Sequence, residues 1–540
     1  MSTKSGESLY ELVLKNLSAA GGPAGRSSLP PVRPSAAVIP WRRGERGIEV
    51  YWIRRADELP FMGGWHAFPG GGVSRSDAAL PVAGTPAGAG EGPPAAGFPE
   101  SLRGGAEDPG PDLVPGLVAA ALRELFEEVG LLLASPLPDR SRLDEARRAL
   151  LAQEKGFADI LTDLGAALDA SRLVWAGRWV SPPFAPVRFD NRFFLLEWPR
   201  AEKIQPSFHP GECAEGEWID PGEALELVRH GEGLTAPPIL HILEVLRQQG
   251  PEAGLGRLRD PAETNLGPLR RIEMRPGILL FPLATHTLPP ASTTNAYLLG
   301  TGEAVLVDPG SPIDEENERL EAALAVARER LGRKVVAIWL THHHPDHIGG
   351  VERLRQSLGV PVLAHPATAE RLAGRIAVDG ELTDGQRIVL AGDPAFPVSV
   401  VHTPGHARGH LCFVDETWRS AVVGDLVAGL GTIVIDPPEG DMEDYLGSLG
   451  RLAALRPRTL FPAHGPAVRN AAAKLREYIQ HRLWREEKIL DAWGRGLRTP
   501  EEMLPTVYED VPKEAHPLAQ RQILAHLERL RRTGRIESTE

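Results

Sequence analysis

The sequence is poor in cysteine and has no long apolar run. Its 540 residues contain two cysteines, Cys213 and Cys412. Two thiols so far apart do not make a disulfide framework, which favours a reducing, cytoplasmic location. No uninterrupted apolar run approaches the ~18 residues that cross a membrane. Charged and amide side chains interrupt the first 22 residues, so these lack the apolar core of a signal peptide.

The chain also lacks a basic surplus. Its 59 Lys and Arg against 72 Asp and Glu give a net charge of −13. This balance argues against polyanion binding over the whole surface, so a phosphate-bearing substrate would need metal ions or a local group of Lys and Arg. The hydrophobic share of 42% and the charged share of 24% are ordinary for a globular protein. The length predicts several domains.

A histidine-rich loop follows an apolar run in the second half. Residues 335–340 predict a buried strand, and residues 341–350 read Thr-His-His-His-Pro-Asp-His-Ile-Gly-Gly. Imidazole and carboxylate together suit zinc or another divalent metal. Further candidate ligands come at the ends of three later apolar runs, in residues 402–406, 423–425 and 462–465. The pattern therefore predicts a metal site built from several loops.

These four pieces, in this order, resemble the motif set of the metallo-beta-lactamase fold, from about residue 276 to the C-terminus. The resemblance implies an αββα sandwich and two zinc ions that share an activated water for the hydrolysis of an ester, thioester or phosphodiester. The implied ligands are His342, His344 and His406 for one metal, Asp346, His347 and His464 for the other, and Asp425 as the bridge. Asp346 is also the implied catalytic residue. Several lactam-hydrolysing relatives carry cysteine where Asp425 stands, which favours a general hydrolase.

Four neighbouring residues are treated separately from these ligands. The motif does not use His343 and His402, so both are predicted to be structural. His410 is a candidate for contacting either a ligand or the substrate, and Asp308, in a strand-to-helix turn, is a candidate for orienting a ligand.

The first half carries an acidic helix face. Residues 117–133 have a helical pattern in which Glu124, Glu127 and Glu128 share one face. Three carboxylates there repel unless a cation lies between them, and oxygen-only ligation favours Mg²⁺ or Mn²⁺. Gly130 is placed to end the helix. A solvated acidic face is the alternative, but the Phe-Pro-Gly-Gly-Gly sequence at residues 68–72 favours a metal site.

With Arg123 in front of them, these glutamates resemble the second half of the Nudix box, G-x5-E-x7-R-E-U-x-E-E-x-G-U. The resemblance covers about residues 34–248. It implies an α/β/α sandwich in which a metal-activated water attacks a diphosphate linkage, with Glu127 and Glu128 as catalytic residues.

The first half of the box departs from this pattern. Pro115 stands where the family carries a glutamate that braces the arginine, and the box glycines lie about fifty residues upstream, across a segment in which 17 of 36 residues are Gly or Pro. Asp112 or Glu107 is a candidate replacement.

The insertion, together with residues 179–182 and 188–194, is similar to a Nudix subgroup that hydrolyses coenzyme A and acyl-CoA. Arg188 and Arg192 are either phosphate contacts or ordinary surface residues.

The last 70 residues have a helical pattern, and residues 534–536 predict a short strand at its end. They resemble the winged-helix extension of the beta-lactamase-like protein 2 group, whose studied members include endoribonucleases for single-stranded RNA. Residues 470–540 contain 13 Lys and Arg against 12 Asp and Glu. Nucleic-acid binding calls for a basic face, so a cap over the metal-site entrance is the favoured role.

We therefore expect a multidomain α/β and α+β protein. The predicted divisions are a Nudix domain at 34–249 with a flexible insertion at 80–116, a linker at 250–275, a metallo-beta-lactamase fold domain at 276–470 and a winged-helix-like extension at 471–540. The main hypothesis is a bifunctional hydrolase of small nucleoside diphosphate and ester or thioester substrates. The alternatives are an RNA-processing enzyme and a chain whose Nudix module only binds.

Overall fold

The computed structural model describes residues 32–57, 59, 62–88, 114–181, 187–208, 212–261, 264–267, 269–288, 290–429 and 431–537. These residues divide into two compact units, one ending at Met274 and one beginning at Arg275. A helix predicted over residues 8–20, most of the Gly/Pro-rich insertion, and both Asp112 and Glu107 lie outside the described residues. None of the helices in the described ranges has the length and apolarity needed to span a bilayer.

A seven-stranded sheet forms the centre of the first unit. The strands of this unit are β1 (Val32–Arg43), β2 (Ile48–Arg55), β3 (His66–Ala67), β4 (Gly70–Gly72), β5 (Val82–Ala83), β6 (Ala134–Ser135), β7 (Ala167–Asp169), β8 (Leu173–Val180), β9 (Arg188–Glu197), β10 (Cys213–Ile219), β11 (Asn265–Leu266) and β12 (Leu269–Arg270). The main sheet has the order β10-β2-β1-β9-β8, with β3 beside β2 and β4 beside β1. Strands β1 and β2 pair antiparallel and form a hairpin.

Helices cover both faces of this sheet. They are α1 (Val114–Val129), α2 (Arg140–Leu151), α3 (Phe157–Leu164), α4 (Pro221–Arg229), α5 (Pro237–Ala253) and α6 (Leu255–Arg259). Because side chains alternate along a strand, Val38 packs with α1 on one face, while Ile39 packs with α5 on the other. Gly130 ends α1 in a left-handed conformation with φ of +72°, as predicted.

The segment predicted as a linker carries regular structure. Helix α5 kinks at Gly250 and continues to Ala253, α6 follows, and β11 pairs with β12. Leu258 and Leu266 are buried, so apolar side chains anchor a segment whose Gly and Pro content predicted an open chain.

Two sheets form the second unit. Their strands are β13 (Glu273–Arg275), β14 (Ile278–Ala284), β15 (Thr293–Leu299), β16 (Glu303–Val307), β17 (Lys334–Trp339), β18 (Val362–Ala364), β19 (Gly380–Glu381), β20 (Arg387–Leu390), β21 (Phe396–His402), β22 (Leu411–Asp415), β23 (Ser420–Gly424) and β24 (Thr459–Pro462). Each sheet follows chain order, from β13 to β19 and from β20 to β24. The Trp339 and Phe413 rings meet between the sheets, with centroids 5.1 Å apart.

Helices flank these sheets. They are α7 (Asp314–Leu331), α8 (Pro345–Ile348), α9 (Val351–Leu358), α10 (Pro366–Leu372), α11 (Met442–Ala454), α12 (Ala471–Gly494), α13 (Pro500–Val507) and α14 (His516–Arg532). Tyr445 of α11 and Leu475 of α12 pack on the outer face of the second sheet with Val423. The unit is thus an αββα sandwich with a helical C-terminal region.

The three C-terminal helices share a small core of their own. Ile489, Met503 and Ile523 meet there, one from each helix. The short strand predicted at residues 534–536 is wrong. The N–H groups of Arg535 and Ile536 donate to the carbonyl of Leu530, so this segment closes the end of α14 as a turn.

Candidate metal centre

Three histidine rings converge at the ends of two strands in the second unit. His342 and His344 follow β17, and His406 follows β21. His344 Nδ1 lies 3.0 Å from His342 Nε2 and 2.9 Å from His406 Nε2. The first predicted ligand set is therefore brought together.

The second predicted set lies on the other side of His342. His464 Nε2 is 3.5 Å from Asp346 Oδ2 and 3.3 Å from Asp425 Oδ1, and His347 Nε2 is 3.6 Å from Asp425 Oδ1. Asp425 Oδ2 lies 3.5 Å from His406 Nε2, so this carboxylate faces both sets. We name these seven residues the histidine cluster: His342, His344, Asp346, His347, His406, Asp425 and His464.

The histidine cluster fits metal ions on two further observations. Among the described residues, three groups of side chains bring their ligand atoms within 4.8 Å of one another, and all three groups belong to this cluster. His347 Nε2 and Asp425 Oδ1 are buried and make no hydrogen bond of standard geometry. Buried polar atoms normally have partners, so two such atoms facing one centre suit a cation.

The outer ring nitrogens of three histidines are held by the fold. His406 Nδ1 donates to the carbonyl of Val434 at 2.7 Å, and His464 Nδ1 donates to that of Thr293 at 3.1 Å. His347 Nδ1 lies 2.8 Å from Asp308 Oδ2. Such contacts fix the orientation of each ring and leave the other nitrogen for a metal.

Asp308 supports the loop, as the sequence predicted. The backbone N–H and the hydroxyl of Thr341 donate to its carboxylate at 2.8 and 2.5 Å. Its backbone has φ of +47°, which is unusual for a residue other than glycine. Two positions on, a Cβ at Gly310 would lie 1.7 Å from the carbonyl oxygen of Asp346, so only glycine allows this approach.

Burial and mutual pairing set the charges of the cluster. Burial lowers the pKa of His342 and His344 well below the usual value, which keeps both imidazoles neutral and able to bind metal. Burial alone would also lower the pKa of His347, but Asp346, Asp425 and Asp308 raise it well above its usual value. Burial would raise the pKa of Asp425, yet His464 and His347 hold it well below its usual range.

His410 contacts the backbone of a predicted ligand. The N–H of Asp425 donates to its Nε2 at 3.0 Å, and its Nδ1 donates to Thr403 Oγ1 at 2.8 Å. Both ring nitrogens are engaged and the ring is fully buried, so His410 positions Asp425 and does not reach a substrate. Gly424, with φ of +46°, permits this contact, since a Cβ there would lie 2.6 Å from His410 Nε2.

The two histidines left out of the ligand set lie at its margin. His402 stacks on His365 with centroids 4.1 Å apart, and its Nε2 donates to the carbonyl of Arg408. The centroid of His343 lies 4.9 Å from that of His344. Burial, as the main cause, lowers the pKa of His343 to about 4.

The first unit brings its predicted residues together around an arginine. Arg123 Nη1 donates to Glu124 at 2.9 Å and to Glu127 at 3.1 Å. Glu128 accepts the N–H of Gly70 at 2.8 Å, so the glycine stretch contacts the helix. We name Glu124, Glu127 and Glu128 the acidic cluster.

Sequence reasoning missed the residue that braces this arginine. The buried carboxylate of Asp77 accepts from Arg123 Nε at 2.8 Å and from Nη2 at 3.0 Å. Asp77 stands six residues after Gly71, which is the glycine-to-glutamate spacing of the box, so the insertion follows this position instead of preceding it. Counting forward from the glycines would have found it, whereas counting back from Arg123 reached Pro115.

Burial disfavours the charged form of the carboxyl groups in the acidic cluster. Burial raises the pKa of Glu124 to about 7 against the opposing charge of Arg123. It raises the pKa of Glu127, and it raises that of Glu128 well above the usual value. A divalent cation would remove the need for protons at these oxygens.

The two arginines of β9 have protein contacts. Arg192 pairs with Asp190 at 2.8 Å, and Arg178 of β8 pairs with the same carboxylate. Arg188 is buried and donates to the carbonyl of Ser181 at 3.2 Å. These contacts favour a structural role for Arg188 and Arg192.

Comparison with known proteins identifies the second unit. The model of the metallo-beta-lactamase superfamily matches residues 289–464, and that of the beta-lactamase associated winged helix domain matches residues 499–540. A beta-lactamase-like protein 2 homolog of Drosophila melanogaster is 30% identical over 45% of this chain and 84% of its own length. An atrochrysone carboxyl ACP thioesterase of Aspergillus chevalieri is 33% identical over 41% of this chain and 70% of its own.

A further similar protein is known from a solved structure. A NUDIX hydrolase from Alicyclobacillus acidocaldarius is 30% identical, over 40% of this chain and 92% of that one, with a TM-score of 0.33.

The chain belongs to the metallo-beta-lactamase superfamily, and it is a hydrolase of that class. The match over residues 499–540 confirms the predicted resemblance to the winged-helix extension of the beta-lactamase-like protein 2 group.

Proposed function

We propose that the second unit hydrolyses an ester or thioester of a small molecule at a centre of two zinc ions. The observation that carries this proposal is the convergence of the seven side chains of the histidine cluster, with His347 Nε2 and Asp425 Oδ1 buried and making no hydrogen bond of standard geometry. The similarity to a fungal thioesterase favours a thioester.

The donor set supports zinc as the metal. Imidazole nitrogens with two carboxylates suit zinc, and such ions would lower the pKa of water and polarise the scissile carbonyl. His342, His344 and His406 would hold one ion, Asp346, His347 and His464 the other, and Asp425 both.

Asp346 is the residue we propose to handle protons. Its Oδ2 accepts from the hydroxyl of Thr294 at 3.2 Å and lies 3.5 Å from His464 Nε2. A carboxylate so fixed can take a proton from the attacking water and return it to the leaving group.

The test measures metal content and activity on the same full-length protein. Elemental mass spectrometry should find two zinc ions per chain, and a panel of ester, thioester and phosphodiester substrates should show thioester cleavage that chelation abolishes and zinc restores. A zinc-replete protein that binds fewer ions, or that cleaves only a phosphodiester such as single-stranded RNA, would contradict the proposal.

For the first unit we propose cleavage of a diphosphate linkage in a nucleoside diphosphate derivative. The ion pairs of Arg123 with Asp77, Glu124 and Glu127 support it, because they restore the arginine brace of the interrupted box. Mg²⁺ or Mn²⁺ held by the acidic cluster would activate water and neutralise phosphate charge. Glu127 and Glu128 are the proposed catalytic residues.

Coenzyme A and acyl-CoA are the first substrates to test for this unit. Incubation with either compound, Mg²⁺ and the full chain should give products split at the diphosphate, detected by mass. Absence of diphosphate cleavage across a wider panel of nucleotide derivatives would favour the alternative that this unit only binds its ligand.

A further inference from the structure

An arginine-lined cavity lies beside the histidine cluster in the second unit. It has a volume of about 270 Å³ and is lined by Ala367, Glu370, Arg371 and Arg408. Glu370 and Glu439, which pairs with Arg371, balance the two guanidinium groups, so the cavity has no excess of positive charge. What it offers an anion is the N–H groups of two arginines.

The cavity is built on the loop that supplies a predicted metal ligand. Arg408 follows His406 by two residues, so both belong to the turn between β21 and β22. Helix α10, which carries Arg371, is fixed against this turn by the hydroxyl of Thr368, which donates to the carbonyl of Gly409 at 3.0 Å. An anion in the cavity would therefore lie near the metal site.

Glu439 holds both arginine segments in place. Its carboxylate pairs with the guanidinium of Arg371 and accepts the backbone N–H of Arg408 at 3.2 Å. Arg408 also donates from Nη2 to the carbonyl of Pro438 at 3.2 Å. Because a guanidinium has five N–H donors, these contacts leave donors on both arginines for a ligand.

We propose that this cavity binds a phosphate group of the substrate, remote from the bond that is cleaved. Guanidinium groups match phosphate oxygens in geometry and keep their charge at any working pH. The inference rests on the proposed thioester hydrolysis and narrows its substrate to thioesters whose thiol portion carries phosphate, as in coenzyme A and phosphopantetheine.

The kinetic test uses one acyl group on three thiols. The zinc-loaded full chain and an Arg371→Ala/Arg408→Ala variant are assayed with acyl-CoA, acyl-phosphopantetheine and an acyl-N-acetylcysteamine, which has no phosphate. Mg²⁺ and Mn²⁺ are omitted to silence the first unit. In the variant, KM should rise about tenfold or more for the phosphate-bearing thioesters, with kcat unchanged and the phosphate-free thioester unaffected.

The outcomes separate binding from damage to the loop. Arg387→Ala is the matched control, because Arg387 is an exposed arginine of the same unit paired with Glu416. Equal losses on all three thioesters, or an unchanged KM throughout, would overturn the inference. A loss with both phosphate-bearing thioesters identifies their common phosphate, and a loss with acyl-CoA alone identifies the nucleotide phosphates.

A binding measurement separates this inference from the proposed function. Calorimetric titration of the full chain with 4′-phosphopantetheine should show affinity that falls about tenfold in the double variant and not in Arg387→Ala. If no thioester is cleaved but this binding depends on the two arginines, the proposed function fails and the phosphate subsite stands. If thioesters are cleaved and the affinity for 4′-phosphopantetheine is the same in the double variant, only the inferred phosphate subsite is wrong.

Discussion

The histidine cluster and the acidic cluster differ in how they balance the charges of their buried titratable groups. Each buries several titratable groups around a small space. In the histidine cluster, burial makes His342 and His344 neutral while His347 and His464 pair with Asp346 and Asp425. In the acidic cluster, Glu124 and Glu127 share Arg123, which also donates to Asp77, while Glu128 accepts the N–H of Gly70.

The difference lies in what a group can do when its charge is not matched. An imidazole loses its charge by releasing a proton, whereas a glutamate can only take one up, which requires a raised pKa. Without metal, the histidine cluster can balance its charges internally. The acidic cluster holds a surplus of carboxylates, so its folded state depends more strongly on protons or on a divalent cation.

The largest effect is expected from removing the carboxylate that faces both ligand sets. Asp425→Ala should lower the rate of thioester hydrolysis by more than about a hundredfold. The loss should be larger than that caused by removing a residue that only hydrogen-bonds to a metal ligand. It should also reduce bound zinc, measured by elemental mass spectrometry.

The control for that variant is Asp384→Asn, which changes an exposed carboxylate paired with Arg451 in the same unit. If Asp425→Ala keeps its zinc and its activity, the histidine cluster is not the metal centre, and the contrast between the clusters loses its basis.

The corresponding change in the acidic cluster is Glu128→Gln. Diphosphate cleavage should fall about a hundredfold or more, the range expected for a group that moves protons in catalysis. Thioester hydrolysis should not change, and product mass spectrometry reads both activities from one sample. Glu145→Gln, at an exposed glutamate of α2, is the matched control.

If the first unit only binds its ligand, a different result is expected for Glu128→Gln and its control. This alternative requires that the wild-type chain cleave no diphosphate and that Glu128→Gln alter only the affinity for a nucleotide.

A smaller effect should follow from His410→Gln. The substitution removes the ring that accepts the Asp425 N–H and donates to Thr403, so Asp425 should lose its fixed position. We expect activity to fall about tenfold with zinc content unchanged. Loss of zinc equal to that in Asp425→Ala would mean that His410 acts as a ligand, against its observed contacts.

The two clusters also differ in how far the sequence could predict them. The ligands of the histidine cluster lie in four short motifs, each at the end of an apolar strand. The residues there indicated a metal site, and the resemblance to a known motif set implied which of them are ligands. Asp77 was missed because a long insertion separates it from Arg123 by 46 residues, so that counting back from the arginine led to Pro115, whereas the spacing from Gly71 identifies Asp77. Contacts such as those of His410 depend on tertiary packing and have no sequence signal.

Elements were predicted best where apolar periodicity was strong. Strand β17 follows the apolar run at residues 335–340 closely, while the segment around Leu258 and Leu266 was predicted as a linker because its Gly and Pro content outweighed two buried leucines. The segment at residues 534–536 failed for another reason. Its backbone N–H groups donate to a carbonyl at the end of a helix. Residue propensities alone do not predict that this contact replaces strand pairing.

The last effect concerns stability and pH in the acidic cluster without metal. The pKa of Glu124 is raised from 4.5 to about 7, so the folded state holds a proton that the unfolded chain releases. The contribution of Glu124 to the free energy of unfolding is therefore fully present below pH 4.5. It is lost as the pH rises through 7, and the loss is no more than a few kcal/mol. Glu127 and Glu128, whose pKa values are also raised, act in the same direction.

Hydrogen exchange of the full chain in a metal chelator can measure this decline. After correction for the intrinsic effect of pH, peptides from α1 should lose protection between about pH 4.5 and 7, and added Mg²⁺ should restore it, because a cation replaces the protons. Peptides from α14, remote in sequence from either cluster, serve as the internal reference. Protection of α1 that rises with pH in the chelator would mean that Arg123 alone stabilises the ionised glutamates, and the proposed dependence of this cluster on a cation would then be wrong.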